Sequence, residues 1–127
     1  MVEYLIDNNV ISNYFSGVFS EKAMSFLSEV IDKTPKLSVI TKIEALSWRN
    51  TDIAKENIVH IFVDFSNVIA LSDVIIDECI AIRRNYKIKT PDAIIAATAI
   101  VNDLTLLTSD ADFNRISNLR ILNPSNL

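Results

Sequence analysis

Glycine is nearly absent from these 127 residues: there is one, alongside three prolines, one cysteine, one histidine and one tryptophan. So little Gly and Pro excludes a collagen-like, low-complexity or linker-like chain. A lone cysteine, Cys79, cannot close an internal disulfide, which excludes a disulfide-stapled scaffold and points to a reducing, cytoplasmic setting. With His60 and Cys79 the only residues of their types, a zinc site also lacks its usual donors. Long apolar runs are missing too, since Ala93–Val101 covers about half of the roughly 20 residues that a membrane span needs. Met1-Val2-Glu3 places no basic region ahead of an apolar stretch, so no secretion signal is expected. Basic charge is outnumbered, 12 Lys and Arg against 16 acids, for a net charge of −4. That disfavours a protein that coats nucleic acid electrostatically and makes the placement of the acids the informative feature.

What the chain has is core material. Half of its residues are hydrophobic, and the length suits one domain spanning residues 1–127. Two kinds of apolar pattern alternate. Val2–Ile6, Leu37–Ile40, Asn67–Leu71 and Leu104–Thr108 read as short strands, with Arg120–Leu122 a final edge strand. Helical spacing runs over Ser20–Lys33, Thr41–Trp48, a segment capped by Thr51 or Asp52, and Ser72–Tyr86. In the third of these, Ile53, Ile58, Ile61, Phe62 and Phe65 suit a buried stripe. Thr90 as N-cap and Pro91 in the first turn open a helix to Val101, and Asp110–Arg115 leads a short one. Strands separated by helices imply parallel crossovers. The predicted fold is a three-layer α/β/α sandwich with a central parallel sheet of four to five strands.

In open parallel sheets chemistry gathers at the carboxyl ends of the strands, and the acids fall there. Asp7 follows the first strand, Glu44 the second, Asp92 opens the Thr90–Pro91 helix, and Asp110 follows Leu104–Thr108, with Asp112 two residues on. Converging carboxylates repel unless they protonate, stay wet or hold cations. Oxygen-only donors select hard dications, Mg²⁺ or Mn²⁺, and such a site suits phosphodiester hydrolysis. Singly, each acid has a structural reading: Thr41 and Glu44 match a T-x-x-E capping box, Asp92 a first-turn acid, Asp110 an N-cap. Asp7 closes a strand with no strong helix start behind it.

Four blocks in order resemble the PIN-domain nucleases, and among them the small VapC-type toxins: Tyr4-Leu5-Ile6-Asp7-Asn8-Asn9, Ser38-Val39-Ile40-Thr41-Lys42-Ile43-Glu44, Thr90-Pro91-Asp92-Ala93-Ile94-Ile95-Ala96-Ala97, and Leu106-Leu107-Thr108-Ser109-Asp110-Ala111-Asp112-Phe113. The resemblance implies that Asp7, Glu44, Asp92 and Asp110 form a catalytic acidic quartet holding Mg²⁺ or Mn²⁺. It further implies that Asp112 supports the metal through water, and that Asn9 and Thr108 orient the first and fourth acids. Asn8 departs from the pattern, standing where the family has Thr. The implied activity is endoribonuclease cleavage of RNA by the toxin of a toxin–antitoxin pair. The implied partners are a small antitoxin and a second copy in a homodimer.

Arg83, Arg84, Lys87 and Lys89 form the one dense basic cluster, either contacts that track RNA phosphates or the solvated last turn of a helix. Trp48 suits either a base stack or a half-buried helix contact, His60 a structural role and Cys79 an inert core position. Outside the nuclease reading stand a catalytically silent PIN-fold interaction module and a phosphate-handling enzyme on another doubly wound fold. The second wants an acid two residues after Asp7, where Asn9 stands.

Overall fold

A computed structural model describes residues 1–127. In chain order the elements are β1 (Tyr4–Ile6), α1 (Asn8–Ser16), α2 (Glu21–Asp32), β2 (Lys36–Ser38), α3 (Val39–Ser47), α4 (Ile53–Phe65), β3 (Asn67–Ile69), α5 (Asp73–Asn85), α6 (Thr90–Val101), β4 (Thr105–Leu107) and β5 (Ile121–Leu122). Two 3₁₀ turns, Ala111–Arg115 and Pro124–Asn126, complete the chain. All four strand pairings are parallel, in the order β3-β2-β1-β4-β5. This is the expected three-layer sandwich, with strands shorter than the sequence pattern suggests.

The strand period of two divides the core. Leu5 and Leu106, register partners on β1 and β4, pack with Ile82 and Ile95 in the layer of α5 and α6. Their neighbours Ile6 and Leu107 point the other way, onto Val10, Leu27 and Phe62 of α1, α2 and α4. From β1 the chain steps outward through β2 to β3, then returns to place β4 on the other side of β1. The switch point between β1 and β4 is where such a sheet opens a crevice at its carboxyl edge.

Four local expectations give way. First, Asp7 does precede a helix: α1 starts at Asn8 and ends at Gly17, the chain's one glycine, whose left-handed φ of 69° closes the helix through N–H bonds to Asn13 and Tyr14 carbonyls. Second, α3 starts two residues early. Its cap is Ser38, whose hydroxyl accepts from the Thr41 N–H at 3.1 Å, so Thr41–Glu44 is no capping box and Glu44 sits in mid-helix. Third, Thr90 is already helical and Lys89 stands at the N-cap without a side-chain bond, because Pro91, in the first turn, leaves one fewer N–H to satisfy. Fourth, the α4 stripe is only partly buried: Phe62 is in the core, while Ile53, Ile58, Ile61 and Phe65 are exposed. The sheet touches one side of α4, and the apolar residues wrap beyond that side.

Candidate metal centre

The centre is built outward from Asp7. Leaving β1, its N–H donates to the Leu107 carbonyl of β4 at 3.0 Å, which fixes the residue at the switch point. Asp7 is extended (φ −80°, ψ 154°) and its Oδ1 accepts from the Asn8 N–H at 2.8 Å. The other oxygen, Oδ2, accepts from the Thr108 hydroxyl at 2.7 Å and from Asn9 Nδ2 at 3.1 Å. Thr108 Oγ1 in turn accepts from Asn9 Nδ2 at 3.2 Å and from the Asp110 N–H at 3.1 Å. Asn9 Oδ1 takes the Ser109 N–H and hydroxyl, both at 3.2 Å. One hydroxyl and one amide therefore lock the end of β1 to the loop after β4, and Asp7 and Thr108 are both buried. Ser109 is a member that the sequence pattern does not single out, since a serine between Thr108 and Asp110 reads as ordinary loop.

Asp110 N-caps the 3₁₀ turn, its Oδ1 accepting from the Asp112 N–H at 2.9 Å. The turn folds Asp112 back toward α6, where Asp92 stands half-buried in the first turn. Carboxylate oxygens of Asp92, Asp110 and Asp112 lie within 4.8 Å of one another. Glu44, exposed on α3, completes the group electrostatically. Partial shielding of its carboxyl, then the charges of Asp7 and Asp92, push its pKa up. Burial is the main cause at Asp7, where it outweighs the Thr108, Asn8 and Asn9 donors, with Asp110 adding repulsion. At Asp92 burial and the charges of Asp110, Asp7 and Asp112 raise the pKa, against a smaller opposing pull from Lys89. The structure thus brings all five predicted acids into one electrostatic neighbourhood, together with Asn9 and Thr108.

Positive charge falls short of balancing them. Arg115 reaches Asp112 at 3.7 Å, both residues being exposed. Of the basic cluster, Lys89 acts on Asp92, but Arg83 turns back to the Ile88 carbonyl at 3.3 Å and Lys87 offers Arg115 its carbonyl oxygen at 2.6 Å. Arg83 and Arg84 instead line an apolar cleft of about 540 Å³ beside Leu71, Ile76 and Ile80. An acid cluster with oxygen donors alone and little compensating charge fits a hard dication such as Mg²⁺ or Mn²⁺. Trp48 is exposed rather than half-buried, His60 lies exposed on α4, and Cys79 is in the core as expected.

The PIN domain family model matches residues 4–119. No curated protein matches the sequence. Among solved structures, a toxin–antitoxin complex from Klebsiella pneumoniae is similar at 28% identity and a TM-score of 0.72, covering 96% of this chain and 98% of that one. FitAcB from Neisseria gonorrhoeae is similar at 25% identity and 0.77, over 98% and 99% of the two chains. VapBC2 from Rickettsia felis, bound to a DNA fragment from its promoter, shares the fold at 22% identity and 0.78, over 97% and 98%.

Proposed function

The chain belongs to the PIN domain family, and from that premise we propose that it is a Mg²⁺- or Mn²⁺-dependent endoribonuclease, the toxin of a toxin–antitoxin pair. The observation that carries the reading is the convergence of acids from four separate segments on the β1–β4 switch point, three of them with oxygens within 4.8 Å. Asp7, Glu44, Asp92 and Asp110 are the catalytic quartet that holds the dication, and Asp112 supports it. Thr108 and Asn9 are positioning residues that keep Asp7 fixed toward the crevice. A bound dication supplies positive charge against the scissile phosphate and makes a neighbouring water more acidic. The chain's own acids hold that charge in place, and their repulsion of an anionic phosphate is offset where the dication sits.

The similar toxin–antitoxin complex from Klebsiella pneumoniae supports a small antitoxin protein as partner. A homodimer is the second assembly we propose, formed through the face where Leu71, Ile76 and Ile80 are exposed around one cleft. Contacts of Lys89 with the RNA backbone follow from its place beside Asp92, whereas Arg83 and Arg84 line the apolar cleft of the proposed dimer face and are not part of that path.

The test is cleavage of single-stranded RNA by purified protein with Mg²⁺ or Mn²⁺. Activity should vanish with EDTA and in Asp7→Asn and Asp92→Asn. Cleavage that survives all three overturns the mechanism, and a melting curve indifferent to both ions favours a silent interaction module.

A further inference from the structure

Next to the acids lies a surface that holding a dication does not use. A cleft of about 620 Å³ opens between α1, α3 and α4 and shares Glu44 with the acid cluster, while its wall residue Asn8 directly follows Asp7. Its volume is that of an ordinary small-ligand site. Two exposed aromatic residues stand in it, Phe15 and Trp48. Phe15 is not loose: its ring is held edge-on by Tyr14 at 5.3 Å and by Phe62 at 5.5 Å. Trp48 ends α3 in extended backbone, ahead of a turn tied down by the Asn50 N–H to Glu56 Oε1 at 2.6 Å and the Asp52 N–H to Asn50 Oδ1 at 2.8 Å.

Seven of the 13 lining residues are polar or charged. Asn8, Ser12 and Asn50 bring hydrogen-bonding groups to the walls, and Lys55, which joins none of the chain's three ion pairs, brings a free cation. Aromatic faces, amide and hydroxyl edges and one ammonium group match a planar heterocycle joined to a phosphate. We propose that this cleft seats one unstacked nucleobase of the RNA, adjacent to the phosphate that the acids address, with Trp48 and Phe15 against the ring and Asn8, Ser12 and Asn50 at its edge. The proposal rests on the ribonuclease reading and makes Trp48 a specificity-determining residue for it.

Trp48 is the chain's one tryptophan, so its fluorescence reports on this cleft alone. In the Asp92→Asn protein at fixed salt, short single-stranded RNA should quench it saturably, whereas an abasic oligonucleotide with the same phosphates should not. In cleavage assays Trp48→Ala should raise KM roughly 5- to 50-fold, the scale of one lost base stack, with kcat little changed and base preference around the cut flattened. Trp48→Phe should recover most of the loss. Equal quenching by natural and abasic strands, or an unchanged KM in Trp48→Ala, overturns the proposal. So does a Trp48 response to the antitoxin with none to RNA, which would give the cleft to a protein partner. Base-dependent quenching in a protein that cuts no RNA would uphold the cleft while refuting the nuclease.

Discussion

Removing a charge from the acid cluster should stabilise the metal-free protein, although most substitutions destabilise. Asp92→Asn keeps the side chain's shape in the first turn of α6 and deletes one of three charges whose oxygens lie within 4.8 Å of one another. At that distance a pair of unit charges repels by about 0.9 kcal/mol in water and about 3.5 kcal/mol at the effective dielectric of a protein surface. Asp112 is exposed and Arg115 stands 3.7 Å from it, so the watery end of the range applies to that pair. Taking the watery end for the Asp110 pair as well sets a floor of about 2 kcal/mol for the two pairs together. Against this, an anion in a first helical turn contributes about 0.3–1 kcal/mol through the helix dipole, which the variant loses. The net is about 1 kcal/mol of added stability in EDTA, a rise of about 3–5 °C in Tm for a domain of this size. Saturating dication should invert the order, because the wild type gains about 2.7 kcal/mol at a hundredfold excess over Kd while a variant short of a donor gains far less. Thermal or urea unfolding with EDTA, Mg²⁺ and Mn²⁺ measures both effects. Asp64→Asn, on the exposed side of α4, is the control and should move stability by less than about 0.5 kcal/mol. An Asp92→Asn protein less stable than wild type in EDTA, or equally responsive to Mg²⁺, would refute the electrostatic argument.

Three more outcomes follow from the same geometry. Thr108→Val deletes the hydroxyl that donates to Asp7 and accepts from Asp110 and Asn9. Dication affinity by calorimetry should fall about 10- to 100-fold and metal-free stability by about 1–3 kcal/mol, with Thr108→Ser restoring the affinity. Because the folded state raises the pKa of Asp7, Glu44 and Asp92, it holds protons that the unfolded chain has already released. In EDTA their contribution is therefore fully favourable below the unfolded values and is lost as pH rises through the folded ones, so the Mg²⁺-induced gain in Tm should grow from acid to neutral pH. An Mg²⁺ gain that shrinks over that interval would contradict this sign. Ile80→Lys, at an exposed position on the α5–α6 face, should shift light scattering from dimer toward monomer without changing Tm at low protein concentration, and an unaltered mass would place the dimer elsewhere.

The sandwich was legible because buried parallel strands and their crossover helices print their periods directly, as in Leu104–Thr108 and Thr90–Val101. The gathering of the acids was legible because carboxylates at strand ends of a parallel sheet fall on one edge. Local geometry was less readable where one residue serves two purposes. Asp7-Asn8-Asn9 looks like the polar end of a strand, yet Val10, Ile11 and Tyr14 at helical spacing, with Gly17 behind, mark α1. Ser38 ends a strand and caps a helix at once, leaving no loop for a pattern to reveal. On α4 the apolar composition is real, but composition does not say how much of a helix the sheet will cover. Nor does sequence spacing show that Phe15 and Trp48, on α1 and at the end of α3, face one cleft.

The double use of Asp7 also divides labour among the acids. An ionised carboxylate offers roughly four lone-pair positions. Asp7 commits three of them, to the Asn8 N–H, the Asn9 amide and the Thr108 hydroxyl. Asp110 commits one, to the Asp112 N–H, and Asp92 joins none of the chain's ion pairs. Asp7 therefore has one position left for a cation, while Asp92 and Asp110 keep most of theirs, in line with the tight trio that includes those two and not Asp7. Being buried and bonded on three sides, Asp7 is the fixed point of the centre: it clamps β1 to the loop after β4, so the direction of its remaining lone pair is set by the fold. The acids on α3, α6 and the 3₁₀ turn can adjust to an ion. On the proposed reading, an arrangement with one rigid donor and several adaptable ones would hold a dication in a single place and leave room beside it for phosphate and water.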